Sequence, residues 1–521
     1  MLVRALLLAL LALLVCAPVA AAQSANANPV LAGEWPDPTV VRTDQGYFAS
    51  ATSGNWAPIF RILWSGDLRS WKVKGEVFRK RPRWASHDFW APEFVEHAGR
   101  WLVFYNARRK GAPATEGADE PPQCIGVATA ARITGPYRDS GAPVYCSSVG
   151  AIDPFAARDE NGRLTLLWKE DGNSAGLPTR ILGQPLSEDG TRLLSGTTPT
   201  QLFANDPASW EGSVVEAPTI VRRNGFFYML YAGNLCCGPP CTYAEGVARS
   251  RKLLGSYRRR PGNPILTGNP SLKCPGHGSV VSDVTTGRDS FLYHAYRTGP
   301  HFFVGRQLIL DDVNWGSDGF PTLGSGSPSF SEPAPRGLSF FEPFRGRRLK
   351  PEWEWRAVAK PLIAVRRGRL ALRRMRARRK DLAAAVLTRR PTSGVYTATA
   401  KIRRSKLRRG VYAGLAAFRS RTHSLLVAIS RDTAVVVQRD PDEGQRRLAK
   451  IRLPESRLGF LRIRARGDRF AFFASRDGRR WRRLDGSQTG NFEGSVRIAL
   501  TAGGGTRPRA EFESFGFRAR R

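Results

Sequence analysis

The chain has 521 residues, 41% hydrophobic and 10% aromatic, with 81 Lys and Arg against 44 Asp and Glu for a net charge of +37. This hydrophobic content can fill substantial cores and excludes a disordered chain, and the length calls for two or more domains. Its 52 Gly and 36 Pro are scattered and helical heptads are absent, which points to a turn-rich all-β protein.

Residues 1–22 read as a signal peptide. Arg4 supplies a positive start, Leu6 to Val15 an apolar run, and Ala20-Ala21-Ala22 a small-residue cleavage site before Gln23. The run is short for a bilayer span, which takes about 20 residues. Bulky Val15 before Cys16 argues against a lipoprotein. A secreted, extracellular protein without a membrane anchor is expected.

A β-rich repeat follows. Apolar strands introduced by a turn residue begin at Gly46 (GYFAS), Gly99 (GRWLVFY), Gly162 (GRLTLLW), Gly225 (GFFYMLY) and Asp289 (DSFLYHAY), spaced by 53, 63, 63 and 64 residues. Such a unit cannot bury its own faces, and radial stacking into five propeller blades solves that problem. Ahead of each strand stands a polar motif: WPDP with Asp37, APE with Glu93, IDP with Asp153, EAP with Glu216 and GHGS with His277. A single Asp-Pro is ordinarily just a turn. Five motifs in step with a repeat predict four carboxylates and a histidine meeting at the propeller axis. There mutual repulsion would separate acid from base roles.

Cys16 aside, six cysteines remain: Cys124, Cys146, Cys236, Cys237, Cys241 and Cys274. In an exported chain they predict three disulfides. Cys124 with Cys146 is the natural local bridge, and the other pairings are left open. Zinc binding is disfavoured because no CxxC pair or neighbouring ligand histidine accompanies the cluster.

Near residues 325–340 Gly, Ser and Pro cluster and the charge changes. Residues 337–521 hold 47 Lys and Arg against 15 Asp and Glu, so +32 of the +37 lies there. Short strands such as GVYTATAKI, HSLLVAI and FLRIRA, with turn pairs such as Asp477-Gly478, predict a β-sandwich with arginines along its solvated face.

WPDPTVV, FWAPEF, IDPF, VEAPTIV and PGHGSVV, in that order, resemble glycoside hydrolase family 43 over roughly residues 30–325. GDRFAFFASRDGRRWRRL (467–484) resembles the concanavalin-like jelly-roll domains appended to such enzymes. The implied organisation is a signal peptide (1–22), a five-bladed β-propeller catalytic domain (23–325), a linker (326–337) and a basic β-sandwich accessory domain (338–521). The resemblance implies an inverting hydrolase of α-L-arabinofuranosyl or β-D-xylosyl linkages in plant-type polysaccharides or oligosaccharides. It makes Asp37 the general base, Glu216 the general acid and Asp153 the carboxylate that orients the acid and adjusts its pKa. It assigns substrate contacts to Trp90, Glu93, His277 and Arg306. No cofactor is required, and Ca2+ beside His277 is at most an optional occupant; Gly278 stands where the family often has Asn, which weakens that expectation. Nucleic acid is not an expected partner, since no aromatic-basic recognition motif accompanies the charge. The alternative is a non-catalytic carbohydrate-binding propeller with a polyanion-binding basic domain. A retaining fructosidase is disfavoured because WPDPTVV lacks the Asn-Asp-Pro-Asn string of that class.

Overall fold

Strands that are apolar at nearly every position must be covered on both faces, and the second strand of each repeat is of this kind. Leu164–Glu170, for example, is buried throughout. In the computed structural model, which describes residues 27–114, 119–332, 337–484, 486 and 488–520, that cover comes from neighbouring sheets. The predicted signal peptide and part of the predicted linker lie outside these residues.

Five antiparallel sheets follow one another along the chain. They open with Thr39–Thr43, Trp90–His97, Ala151–Arg158, Val215–Arg223 and Leu272–Asp283. Each opening strand pairs with the next in sequence, and the strand order is sequential outward. The five opening strands touch one another in cyclic order, the last against the first, and so form the inner wall of a five-bladed β-propeller. The hairpins joining the first and second strands of blades 2 and 4 turn on Ala98-Gly99 and Asn224-Gly225. Both residues of each pair have positive φ, the type I′ geometry that matches strand twist.

Ring closure comes from the segment just before the first blade. Val30 N–H donates to Leu308 O at 2.9 Å and Trp35 N–H to Arg306 O at 2.7 Å. The Asn28 side chain bonds Leu310 O, also at 2.9 Å. Residues 28–35 therefore lie along the third strand of blade 5, Arg306–Trp315.

From Phe340 the chain forms two packed antiparallel sheets with a shared apolar core that includes Leu387, Leu415, Ile463 and Phe512. In Gly459–Arg466 the residues Leu461, Ile463 and Ala465 face this core while Arg462, Arg464 and Arg466 alternate outward, the pattern expected of one solvated sheet face. Among the described residues three disulfides link Cys124–Cys146, Cys236–Cys237 and Cys241–Cys274. Among the described residues no helix is long and apolar enough to cross a membrane.

The sandwich is fastened to the propeller through a buried charge cluster. Trp56–Ala57 pairs with Trp355–Arg356 as a two-stranded sheet. Beside it, Glu354 lies 2.9 Å from Arg390 and 3.2 Å from Arg497. Arg61 of blade 1 donates to Trp353 O at 2.6 Å. Arg390 and Arg497 also stack over Trp35 and Trp56, at 3.6 and 4.6 Å from the ring centroids. Burial opposes ionisation of Glu354, but the arginine charges prevail and hold its pKa below the usual range.

Glu354→Gln would leave those guanidiniums buried without their counter-charge. Removing one partner of a buried pair costs about 3–5 kcal/mol, and a loss of that order is expected in chemical denaturation at pH 7. The sign follows from the depressed pKa. The contribution is present above the unfolded glutamate value near about 4.3 and disappears as pH falls through the folded value, so the wild-type advantage should vanish in acid. Equal stability of the two proteins at pH 7 would refute the role of this cluster.

Candidate active site

The inner strands share one irregularity. Ladder register slips between Trp90 and Glu93, Ile152 and Phe155, Glu216 and Thr219, and Gly276 and Ser279. At these bulges Ala91, Asp153, Ala217 and His277 take φ of 40°, 53°, 58° and 48°, and Asp37 takes 55° at the entrance to blade 1. Proline follows at 38, 92, 154 and 218, where a missing N–H costs the interrupted ladder nothing. A bulge re-aims its side chain, and here it does so toward the axis. The equivalent positions are therefore Asp37, Ala91, Asp153, Ala217 and His277. They are not the four carboxylates that the motifs alone place in register. Glu216 and Trp90 stand one residue before the bulge position, and Glu93 two after it.

Two residues past the bulge lies a second layer that stitches blade to blade. Thr39 Oγ1 donates to Glu93 Oε2 at 2.7 Å, Thr219 Oγ1 to Gly278 O at 2.6 Å and Ser279 Oγ to Pro38 O at 3.2 Å. Burial, only partly offset by the Thr39 bond, pushes the Glu93 carboxyl up to about 8. Trp90 is half-buried, with the Arg108 guanidinium 5.7 Å from its ring centroid.

The structure brings Asp37, Asp153, Glu216, His277 and Arg306 together. Arg306 Nη1 donates to Asp37 Oδ1 at 2.9 Å. The Nδ1 atoms of His277 and His294 each lie 3.4 Å from the same oxygen. His277 Nδ1 is also 4.0 Å from Asp153 Oδ2, so it stands between the two aspartates. Asp153 Oδ2 accepts the Ala217 N–H at 3.1 Å and thereby fixes the backbone beside Glu216. Both Glu216 oxygens are engaged: Lys169 Nζ donates to Oε2 and Tyr243 OH to Oε1, each at 2.7 Å. Lys169 Nζ also contacts Asp171 Oδ1 at 2.9 Å.

These surroundings divide the carboxylates. Burial would raise the Asp37 pKa, but Arg306, then His277 and His294, lower it to about 2. Asp37 therefore stays ionised across the working range of pH. Burial and then the Glu216 charge hold Asp153 well above the carboxylate range, so this residue keeps its proton. Burial of Glu216 is outweighed by the Lys169 ammonium, which lowers its pKa. Burial also holds both histidines below their ordinary value and therefore neutral. The Asp37 N–H donates to His294 Nδ1 at 3.1 Å, which leaves the ring proton on Nε2.

The residues around His277 do not fit Ca2+, which takes about six to eight oxygen ligands. The ring lies among Asp37, Asp153 and two nearby cations, Arg306 and Lys169. Among the described residues no group of three or more His, Cys, Asp and Glu is disposed to hold a metal ion. Gly278, which stands where Asn is common, has a local cause: a Cβ there would lie 2.2 Å from Leu292 O.

Sequence reasoning missed Lys169, Asp171, Tyr243 and His294. The signal for two of them was present. Lys169 and His294 interrupt the apolar runs LTLLWKE and DSFLYHAY, where a polar residue on a fully buried strand needs a partner.

Residues 26–321 match the family model described as Glycosyl hydrolases family 43, and residues 342–517 match the Beta xylosidase C-terminal Concanavalin A-like domain. The chain is 29% identical over 312 residues to a Xylosidase/arabinosidase 43B of Humicola insolens, covering 56% of this chain and 53% of that one. It is 25% identical over 302 residues to an extracellular endo-alpha-(1->5)-L-arabinanase of Bacillus subtilis, covering 55% and 86%. It thus spans about half the length of the Humicola protein. The crystal structure of the GH43 BlXynB protein from Bacillus licheniformis superposes with a TM-score of 0.78 at 23% identity, over 95% of this chain and 99% of that one, which establishes the fold.

Arg306→Gln removes the largest of the charges that favour ionised Asp37. The Asp37 carboxyl is then expected to titrate roughly one unit or more above its present value. Carbon NMR of labelled aspartate carboxyls across a pH series would read this directly. A midpoint that stays at about 2 would mean the histidines alone hold the charge.

Proposed function

The chain belongs to glycosyl hydrolases family 43, and from that premise we propose that it is a secreted, inverting hydrolase of α-L-arabinofuranosyl or β-D-xylosyl linkages in plant-type polysaccharides or oligosaccharides. The observation that carries the reading is the separation of electrostatic surroundings. Asp37 is held ionised by the Arg306 guanidinium, while Glu216 is gripped through a different set of groups. A base that must accept a proton and an acid that must deliver one require such unlike environments at one pH.

In this reading Asp37 accepts a proton from a water as that water attacks the anomeric carbon. Glu216 protonates the leaving oxygen as the glycosidic C–O bond breaks, and solvent then returns both carboxyls to their starting states. Asp153 keeps its own proton and aligns the acid through the Ala217 N–H. Trp90 offers a ring face to the sugar, and His277 and Arg306 contact hydroxyls on the base side. Glu93 supports this wall from the layer of Thr39. Residues 23–325 make the catalytic domain, and residues 338–521, beyond the 326–337 linker, an accessory domain. Secretion rests on the leader-like residues 1–22 and agrees with relatives named extracellular. Relatives named for xylosidase and for arabinan-directed activity both match, so the pentose is for experiment to name.

The first experiment is hydrolysis of paired aryl α-L-arabinofuranoside and β-D-xyloside by wild type, Asp37→Ala and Glu216→Ala, with the anomer of the released sugar followed by proton NMR. Each variant is expected to lose about 10²–10⁴-fold in kcat, and the wild type to release the inverted anomer first. Activity surviving both substitutions, or retention of configuration, would overturn the assignment.

A second reading for the sandwich, as a binder of acidic polysaccharide, has one observation in its favour. A cleft of about 500 Å³ is lined by Arg366, Arg367, Arg369, Arg373 and Arg509 with Glu511 as the acid in its lining. Guanidinium pairs with carboxylate in a fork that suits uronates. Retention on polygalacturonate at low salt should fall at least tenfold in Arg369→Gln/Arg373→Gln/Arg509→Gln. Unchanged retention would exclude this cleft as the site.

A further inference from the structure

Glu216, read above as the acid, carries a contradiction: an acid must hold a proton, yet this carboxylate is ion-paired to a buried lysine. Lys169 is 1% exposed, and its Nζ lies 2.7 Å from Glu216 Oε2 and 2.9 Å from Asp171 Oδ1. The ammonium thus has two acceptors of nearly equal reach, one in the site and one behind it. Asp171 directly follows the strand that carries Lys169, and its N–H donates to Gly150 O at 2.9 Å, so the rear acceptor is anchored. Burial acts against the Lys169 charge, but Glu216 and Asp171 reverse that effect, and the side chain remains an ammonium throughout.

We infer that Lys169 is a positioning residue that shifts its ammonium between Glu216 and Asp171, and that this shift sets the pH above which Glu216 can no longer deliver a proton. With Lys169 shared, Glu216 rests ionised and correctly aimed. When Lys169 withdraws onto Asp171, Glu216 Oε2 takes a proton from solvent and offers it to the leaving oxygen. After the C–O bond breaks, the ammonium returns to the newly formed carboxylate. Lys169 neither gains nor loses a proton, so the cycle balances with the one proton that solvent supplies and the leaving group removes.

The other charged and titratable groups facing Glu216 oppose or only accompany this effect. Tyr243 donates to Oε1 from just before the third strand of blade 4, Ala244–Ser250. Asp153 from blade 3 and Glu245 from blade 4 are both held above the carboxylate range, first by burial and also by the Glu216 charge. His277 from blade 5 is kept neutral by its burial. Lys169 is therefore the full positive charge in direct contact with the acid.

The inference rests on Glu216 being the acid, and the experiment separates the two claims. kcat/KM is followed against pH on an alkyl pentoside, whose leaving group needs protonation, and on a dinitrophenyl pentoside, whose leaving group does not. Lys169→Met is expected to move the alkaline limb for the alkyl substrate upward by about one pH unit or more, since loss of an adjacent cation raises a carboxyl pKa. Asp171→Asn, which keeps the ammonium but removes its second acceptor, should move the same limb downward. The limb on the acid side, set by Asp37, should not move in either variant. A merely structural lysine would lower activity at all pH values and leave the limbs in place. Should Lys169→Met fail to fold, the downward shift in Asp171→Asn remains the deciding measurement. An alkaline limb that stays put in both variants overturns the inference. If instead Glu216→Gln still hydrolyses the alkyl pentoside with a wild-type limb, the assignment of the acid is what fails.

Discussion

Everything in this molecule depends on the repeated break in the inner wall of the propeller. An unbroken ladder would alternate side chains to the two faces of each blade and aim none of them down the axis. The slip at Trp90–Glu93, Ile152–Phe155, Glu216–Thr219 and Gly276–Ser279 turns one left-handed residue inward in each of blades 2 to 5, and Asp37 takes the same conformation at the entrance to blade 1. Non-glycine residues in that region carry a cost of order 1–3 kcal/mol each. The layer beneath offsets that cost by bonding blade to blade through Thr39, Glu93, Thr219 and Ser279. The site is thus a by-product of how five sheets meet, and its rigidity comes from the same hydrogen bonds that hold the ring.

On this frame electrostatics distributes the work. The two ends of the site are each built around one carboxylate and one cation, but the cations differ in kind. Arg306 binds Asp37 through one Nη of a planar, permanently charged guanidinium while its backbone N–H is tied to Glu34. Lys169 is a compact point charge with a second acceptor behind it. In the proposed mechanism a fixed charge suits a base that must begin each cycle ionised, and a shared charge suits an acid that must alternate. Asp153 and His277 stand between the two ends without net charge, so neither cation is drawn toward the wrong carboxylate.

The fold was legible where burial dictates composition. Second strands such as LTLLWKE and FFYMLYAG are covered on both faces and could only be apolar, so the repeat showed itself. Asp37, Asp153 and Glu216 were legible because each stands in a short motif that a proline marks. The register of those bulges was not, since it is set by a one-residue slip between paired strands, and a motif aligned by eye puts Glu93 and Glu216 level with Asp37. Lys169 and His294 were legible as polar interruptions of apolar runs, which call for a partner but do not say which one. The bond between Cys236 and Cys237 was equally unreadable, because spacing alone does not choose among the pairings of clustered cysteines.

The strap of residues 28–35 along blade 5 has a temporal consequence. Asp37 and the arginine that keeps it charged are 269 positions apart, and they meet only when the last blade is laid against the first segment. Contacts of such long range form late, after most loops have been closed. A ribosome therefore releases almost the whole propeller before Asp37 can meet its cation, and a chain cut short before residue 306 would lack that half of the site however well its early blades had folded.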